Sequence, residues 1–179
     1  MPPCYRCCRR SWSGCRPRCW LPEGSGTVVP WPRSWPPGAS GARMGTRFLA
    51  TPESGAHPQY KQAVVAAGLA STEITDVFAV CPLCATEPRV RVLRPCIDAM
   101  LGLGDESAGE ATVAGRPFPI VRGSGMPPGA SAQGRIDAMA MYAGESAAAI
   151  SSLVPTAELI EELVTTAVRQ LRAAPLGDR

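Results

Sequence analysis

The residues best placed to do chemistry form a short run, Ala42-Arg43-Met44, closed by Gly45-Thr46 within the stretch 38–54. Apolar residues follow the run, which is typical of a buried strand that ends in a turn. A glycine and a small hydroxyl residue at a strand end can offer N–H groups and an O–H to a phosphate. Taken alone, the pattern favours a glycine that merely turns the chain.

Other reactive side chains have simpler explanations. The only histidine, His57, stands at the start of a predicted helix, so we expect it to cap that helix and not to act in catalysis. Cys81 and Cys84, with Cys96 nearby, have the spacing of a redox or metal pair. They do not follow the strand-to-helix pattern of a redox motif, and no second cysteine pair completes a metal site. We therefore interpret them as cysteines of a cytoplasmic enzyme without a redox or metal role. The sequence therefore predicts no catalytic residue and no metal ligand.

Composition divides the chain at Gly38. All four tryptophans and five of the eight cysteines precede it, whereas helical periodicity appears only after it. The net charge of +3, with Lys61 as the only lysine, gives no basic stripe and no support for a nucleic-acid partner. No apolar run approaches the ~18 residues that span a bilayer, and the start lacks the apolar core of a signal peptide. We expect a soluble cytoplasmic protein.

Residues 1–37 show neither a helical nor a strand period. Their cysteine spacing is irregular for zinc, and no secreted context favours disulfides. We interpret the segment as a GC-rich gene read in the wrong frame. If the reading frame starts one base earlier, the codons from Cys19 onward encode a sequence such as Val-Leu-Ala-Ala-Gly-Gly-Ile-Gly-Asp-Gly-Arg. This sequence is typical of a buried strand followed by a glycine loop. Its Gly-Gly-Ile falls at the positions of Glu23, Gly24 and Ser25. We expect 1–37 to be out of frame or disordered and 38–179 to form the domain.

The chain after residue 55 is predicted to be rich in helix. A helix is expected from about residue 58 to 68, a short strand over 90–94, and one or two helical turns over 97–103. The stretch 104–134 is rich in Gly, Pro, Ser and Ala and predicts a surface excursion or a mobile lid. Ile136, Met139, Met141 and Tyr142 then recur at helical spacing.

The last helix is the best defined. It is predicted to begin at Pro155-Thr156, with glutamates near its N-terminal end and arginines near its C-terminal end, as the helix dipole favours. Its apolar residues form a single stripe that must pack on a core. They are Leu159, Ile160, Leu163, Val164, Val168 and Leu171.

Several of these segments together resemble the nitronate monooxygenase family, formerly called 2-nitropropane dioxygenases. The stretch 38–54 is similar to the family's last barrel strand and phosphate loop, and Ala56-His57-Pro58 to the start of the next helix. Segments 91–94, 141–146 and 155–160 are similar to the family's C-terminal region in the same order. The out-of-frame sequence adds the Ala-Ala-Gly-Gly-Ile that this family places one strand earlier.

The resemblance implies an FMN-dependent TIM-barrel flavoprotein that oxidises alkyl nitronates with dioxygen, related to flavin-containing enoyl-acyl carrier protein reductases. TIM barrels often bind phosphate with the loops after their last two strands. The resemblance therefore assigns the FMN phosphate to Arg43, Met44, Gly45 and Thr46, with Arg43 in place of a more usual neutral residue. The family's catalytic histidine lies upstream, so His57 is not expected to replace it.

The fold class expected is α/β, the C-terminal part of a TIM (β/α)8 barrel. Such a barrel needs eight strands and typically about 250 residues, whereas the in-frame part has about 140 and one barrel strand. We therefore expect this polypeptide alone to bind FMN poorly or not at all. The alternative is a non-enzymatic helical interaction protein with a cysteine-rich, metal-binding head, which would unfold when a chelator removes the metal.

Overall fold

A computed structural model describes residues 19–21, 39–42, 44–80, 89–104 and 106–173. The rest of 1–38, together with Arg43, Cys81 and Cys84, lies outside the described residues. The expectations for the cysteine-rich head, for the Arg43 contact and for the Cys81–Cys84 pair therefore stay predictions.

The stretch singled out by the sequence joins a strand to a short helix. Strand β1 (Cys19–Leu21) pairs in parallel with β2 (Ala39–Ala42), and helix α1 (Thr46–Leu49) follows. The predicted strand thus ends at Ala42, before Met44. The next helix, α2 (Pro58–Val65), begins as predicted, with proline in its first turn, and ends before the predicted Gly68.

Strand β3 (Thr72–Thr75) pairs antiparallel with β4 (Val90–Leu93), and α3 (Arg94–Leu101) follows directly. The predicted strand at 90–94 is confirmed. The predicted helical turns are also confirmed, except that α3 begins at Arg94. The buried side chains of α3 are Cys96, Ile97 and Met100.

The prediction of an irregular excursion over 104–134 is wrong. This stretch contains β5 (Gly109–Val113), β6 (Arg116–Ile120) and β7 (Gln133–Gly134), which form an antiparallel sheet in the order β6-β5-β7. Prolines at positions 117 and 119 weigh against a strand in a sequence pattern, because proline has no N–H to donate. They are tolerated because β6 lies at the edge of this sheet.

The helical spacing over 136–142 is also only partly realised. A 3-10 helix covers Ile136–Ala138, and the chain then runs extended, because Met141 accepts a backbone hydrogen bond from Leu93 at 2.9 Å. A second 3-10 helix covers Glu145–Ala149. Pairing with β4 thus overrides the local helical pattern.

The last helix, α4 (Thr156–Ala173), begins where the sequence predicts. Leu159 and Leu163 are buried, whereas Ile160, Val164 and Val168 are exposed. The expectation that the whole apolar stripe packs on a core is therefore wrong for these three residues.

The main core lies between α2, α3, β4 and the segment 136–150. Its fully buried large side chains include Tyr60, Val64, Phe78, Val92 and Met139. Within the described residues the strands form three separate sheets, of two, two and three strands, and they do not close a barrel. The architecture is a partial α/β fragment, with more strand after residue 55 than predicted. None of its described helices is long and apolar enough to cross a membrane.

Candidate functional site

Three of the predicted phosphate residues, Met44, Gly45 and Thr46, lie at the start of α1. Gly45 is the residue that precedes the helix, is exposed, and has φ −87° and ψ −57°, a conformation open to any residue. Gly45, at the cap position of α1, has no side chain that could bond the first amides of the helix. Because the first amides of a helix lack partners within the helix, a turn of this kind suits an anion. Met44 is half-buried, and Thr46 is only 4% exposed.

Thr46 also joins this turn to a distant part of the chain. Its Oγ1 accepts a hydrogen bond from the backbone N–H of Gly144 at 3.0 Å, although the two residues are 98 positions apart. Gly144 belongs to the segment 141–146, which resembles the family but was not predicted to take part in the site. The structure therefore brings together two of the motifs that carry the family resemblance.

The segment 141–146 is itself held by β4. Ala143 donates a backbone hydrogen bond to Arg91, and the Arg91 guanidinium forms an ion pair with Glu145 at 2.9 Å. Arg91 Nη1 also donates to Thr72 Oγ1 at 3.1 Å. Strands β3 and β4 thus fix the position from which Gly144 reaches Thr46.

Arg47, the second residue of α1, attaches the same turn to the chain that leads into α4. Its Nη1 donates to the backbone oxygen of Ser152 at 3.1 Å. Burial lowers the pKa of the Arg47 guanidinium, and the negative charge of Glu162 acts in the opposite direction. A guanidinium remains protonated in either case. Nη1 also donates to the backbone oxygen of Ala50 at 3.4 Å, which places this permanent charge at the C-terminal end of α1.

Glu53, in the loop that follows α1, caps α4. Its carboxylate oxygens accept hydrogen bonds from the backbone N–H of Thr156 at 3.1 and 3.2 Å and from the Thr156 hydroxyl at 3.0 Å. The pKa of Glu53 is lowered, chiefly by a hydrogen bond from its own backbone N–H and also by those from Thr156. A carboxylate held in this way serves structure, because it joins the loop after α1 to the start of α4.

His57 has the capping role that the sequence predicts. Its Nδ1 accepts a hydrogen bond from the backbone N–H of Gln59 at 3.2 Å, at the N-terminus of α2. The prediction that His57 is a helix cap is therefore confirmed.

Cys96 is fully buried on α3, and its thiol donates to the backbone oxygen of Leu93 at 3.0 Å. Burial raises the pKa of this thiol to about 11. Because the thiolate is the reactive form, such a cysteine is chemically inert. Among the described residues no group of His, Cys, Asp and Glu side chains is arranged to hold a metal ion.

Tyr142 connects the site segment to the core. Its hydroxyl donates to the backbone oxygen of Gly125 at 2.6 Å, and its own backbone oxygen accepts from the Tyr60 hydroxyl. Burial raises the pKa of Tyr142. This side chain therefore holds the segment 141–146 in place and stays protonated at neutral pH.

Comparisons with known proteins identify the family of the chain and structures of similar fold. Residues 36–166 match the family described as nitronate monooxygenase. Two solved structures are similar in fold, FabK from Thermotoga maritima and a point mutant of it. Each has a TM-score of 0.52, with 22% identity for the first and 24% for the mutant. In both, the alignment covers 86% of this chain but only 46% of FabK and 43% of the mutant chain. No curated protein matches the sequence significantly.

Proposed function

This chain is a member of the nitronate monooxygenase family, and we propose that its residues 44–46 form the phosphate-binding part of an FMN site in an oxidoreductase. The observation that carries the proposal is the hydrogen bond from Gly144 to Thr46 Oγ1. This hydrogen bond lies at a turn that has an exposed glycine at the cap position of α1 and a buried hydroxyl beside it. Such a turn presents donors and no carboxylate, which fits a phosphate.

The Thr46 hydroxyl and the backbone of the turn can donate hydrogen bonds to an anion. A hydroxyl can donate its own hydrogen while its oxygen accepts another, so the contact with Gly144 is compatible with a Thr46–phosphate hydrogen bond. Gly45 would donate through its backbone, and Arg43, which precedes the turn, would add a guanidinium.

The activity proposed is the oxidation of alkyl nitronates by dioxygen, as the family name indicates. Bound FMN would supply the electron-transfer chemistry, and this chain's residues would hold and orient its phosphate. The substrate would be a small molecule, as is usual for an enzyme of this family. We also propose that the protein is cytoplasmic. The chain spans less than half the length of the FabK chains that it matches. The similarity in fold therefore does not by itself establish an activity for this chain.

We further propose that 38–179 is the part of the chain that belongs to the domain and that 1–37 is translated out of frame. The family match begins at residue 36, beside the boundary that the composition places at Gly38. Sequencing of the genomic locus tests this proposal. We expect a one-base insertion or deletion near the codons for Pro37 and Gly38, and an uninterrupted frame there would refute it.

A titration of the isotopically labelled chain with FMN, followed by amide NMR signals, tests the phosphate site. Because the described strands close no barrel, we expect weak, fast-exchanging binding that shifts the amide signals of Gly45, Thr46 and Gly144. Riboflavin is the matched control, since it has the same ring without the phosphate, and it should leave these signals in place. Equal shifts with both ligands, or none with FMN, would refute the phosphate assignment.

The purified protein offers a second test. We expect no flavin absorbance and no oxygen uptake when an alkyl nitronate is added. Stoichiometric flavin with nitronate-dependent oxygen uptake would contradict the proposal that this chain does not complete the site alone.

A further inference from the structure

Three aliphatic side chains lie exposed along one face of α4. Ile160, Val164 and Val168 are 48%, 56% and 40% exposed. They recur every four residues and therefore lie above one another on the helix. Leu159 and Leu163 point to a different side of α4 and are buried. We call Ile160, Val164 and Val168 the outer face of α4.

The charged residues beside the outer face are sorted by sign along the helix. Glu158 and Glu161 lie in its first half, whereas Arg169 and Arg172 lie in its second half, and all four are exposed. With about 3.6 residues per turn, these four residues fall on the same flank of the outer face. The flank is therefore acidic at one end and basic at the other.

We propose that the outer face of α4 pairs with α4 of a second copy of this chain, in an antiparallel two-fold arrangement. A two-fold axis brings the same patch together from both copies. Antiparallel pairing sets the acidic half of each helix beside the basic half of its partner, so that attraction occurs at both ends. In a parallel two-fold pair the charged flanks of the two copies would lie on opposite edges of the contact, where their charges do not meet. The three aliphatic side chains would leave water at the centre of the contact.

The small area of this contact limits the affinity expected for the dimer. Helix α4 has 18 residues, which gives a length of about 27 Å. One pair of such helices buries less than the roughly 1,600 Å² of a standard stable interface. The dimer should therefore form only at high protein concentration.

Sedimentation equilibrium of the full chain under reducing conditions tests the pairing. We expect the average mass to rise from that of a monomer toward that of a dimer between micromolar and millimolar concentration. Val164→Glu should remain monomeric throughout, and its circular dichroism should match that of the wild type because residue 164 is exposed. Leu69→Glu is the matched control, since Leu69 is 92% exposed but lies outside α4, and it should still dimerise. A monomeric wild type, or a Val164→Glu variant that dimerises normally, would refute the proposal.

Charge reversal tests the antiparallel arrangement. A variant with Glu158→Arg and Glu161→Arg has a wholly basic flank, and one with Arg169→Glu and Arg172→Glu has a wholly acidic flank. Each alone should dimerise less than the wild type, and their mixture should form a mixed dimer more strongly than either alone. Circular dichroism shows whether α4 is retained in both. If the helix is retained and the charge changes leave self-association unaltered, the charge-paired antiparallel dimer is wrong.

Discussion

The backbone N–H of Gly144 donates a hydrogen bond to Oγ1 of Thr46 at 3.0 Å, and this contact connects the start of α1 to the segment that β4 holds. Thr46→Val removes the acceptor while keeping the shape of the side chain. Since Thr46 is buried, the unpaired N–H should cost about 1–3 kcal/mol of unfolding free energy. Urea denaturation measures the change. Thr46→Ser keeps the hydroxyl and should lose less, and equal losses in both variants would show that the hydrogen bond is not the cause.

Glu53 should make the stability of α4 depend on pH. Its pKa is lower in the folded chain than in the unfolded one, so its contribution is complete above the unfolded pKa of about 4.3. The contribution is lost as the pH falls through the folded pKa, where the carboxylate takes up a proton.

Glu53→Gln is therefore expected to lower the urea midpoint at neutral pH, and the difference from the wild type should shrink toward zero in acid. Urea midpoints measured across the acid range test this. Glu110→Gln, an exposed glutamate on β5, serves as the control. A difference between wild type and Glu53→Gln that stays constant with pH would contradict the capping role.

Cys96 should resist alkylation in the folded protein. With a pKa of about 11, only about a thousandth of this thiol is ionised at pH 8, and burial blocks access to it. Iodoacetamide treatment followed by peptide mass spectrometry should find Cys96 unmodified until urea is added. Rapid modification of Cys96 without denaturant would mean that α3 opens readily.

Shortening a side chain to alanine should affect stability differently on the two sides of α4. Leu159 is fully buried, so Leu159→Ala should destabilise the protein by about 2–5 kcal/mol. Val164→Ala on the outer face should change stability by no more than about 0.5 kcal/mol at micromolar concentration. Thermal or urea unfolding of both variants makes the comparison. Similar losses at both positions would mean that the helix is rotated from the orientation described.

Features that depend on neighbouring residues in the sequence could be predicted. His57 caps α2 because a side chain before a first-turn proline is well placed to accept an early amide. The start of α4 at Thr156 follows from its charge pattern and apolar period. Strand β4 could be placed because flanking prolines limit it.

Features set by distant contacts could not be predicted in the same way. Strand β6 contains Pro117 and Pro119, and only its place at a sheet edge makes them acceptable. Met141 leaves the helical pattern because Leu93 donates a hydrogen bond to it. At the candidate site, the sequence indicated Gly45 and Thr46 but not the contribution of Gly144.

The proposal that Gly45 and Thr46 hold the FMN phosphate is tested most directly by one substitution in the NMR titration with FMN. Gly45 has a backbone conformation that any residue adopts, so Gly45→Asp should fold while placing a negative charge at the anion site. Gly55→Asp is the control, because a side chain at Gly55 enters open space. We expect the FMN-induced shift of the Thr46 amide to disappear in Gly45→Asp and to persist in Gly55→Asp. An equal FMN-induced shift in both variants would contradict the proposed phosphate site.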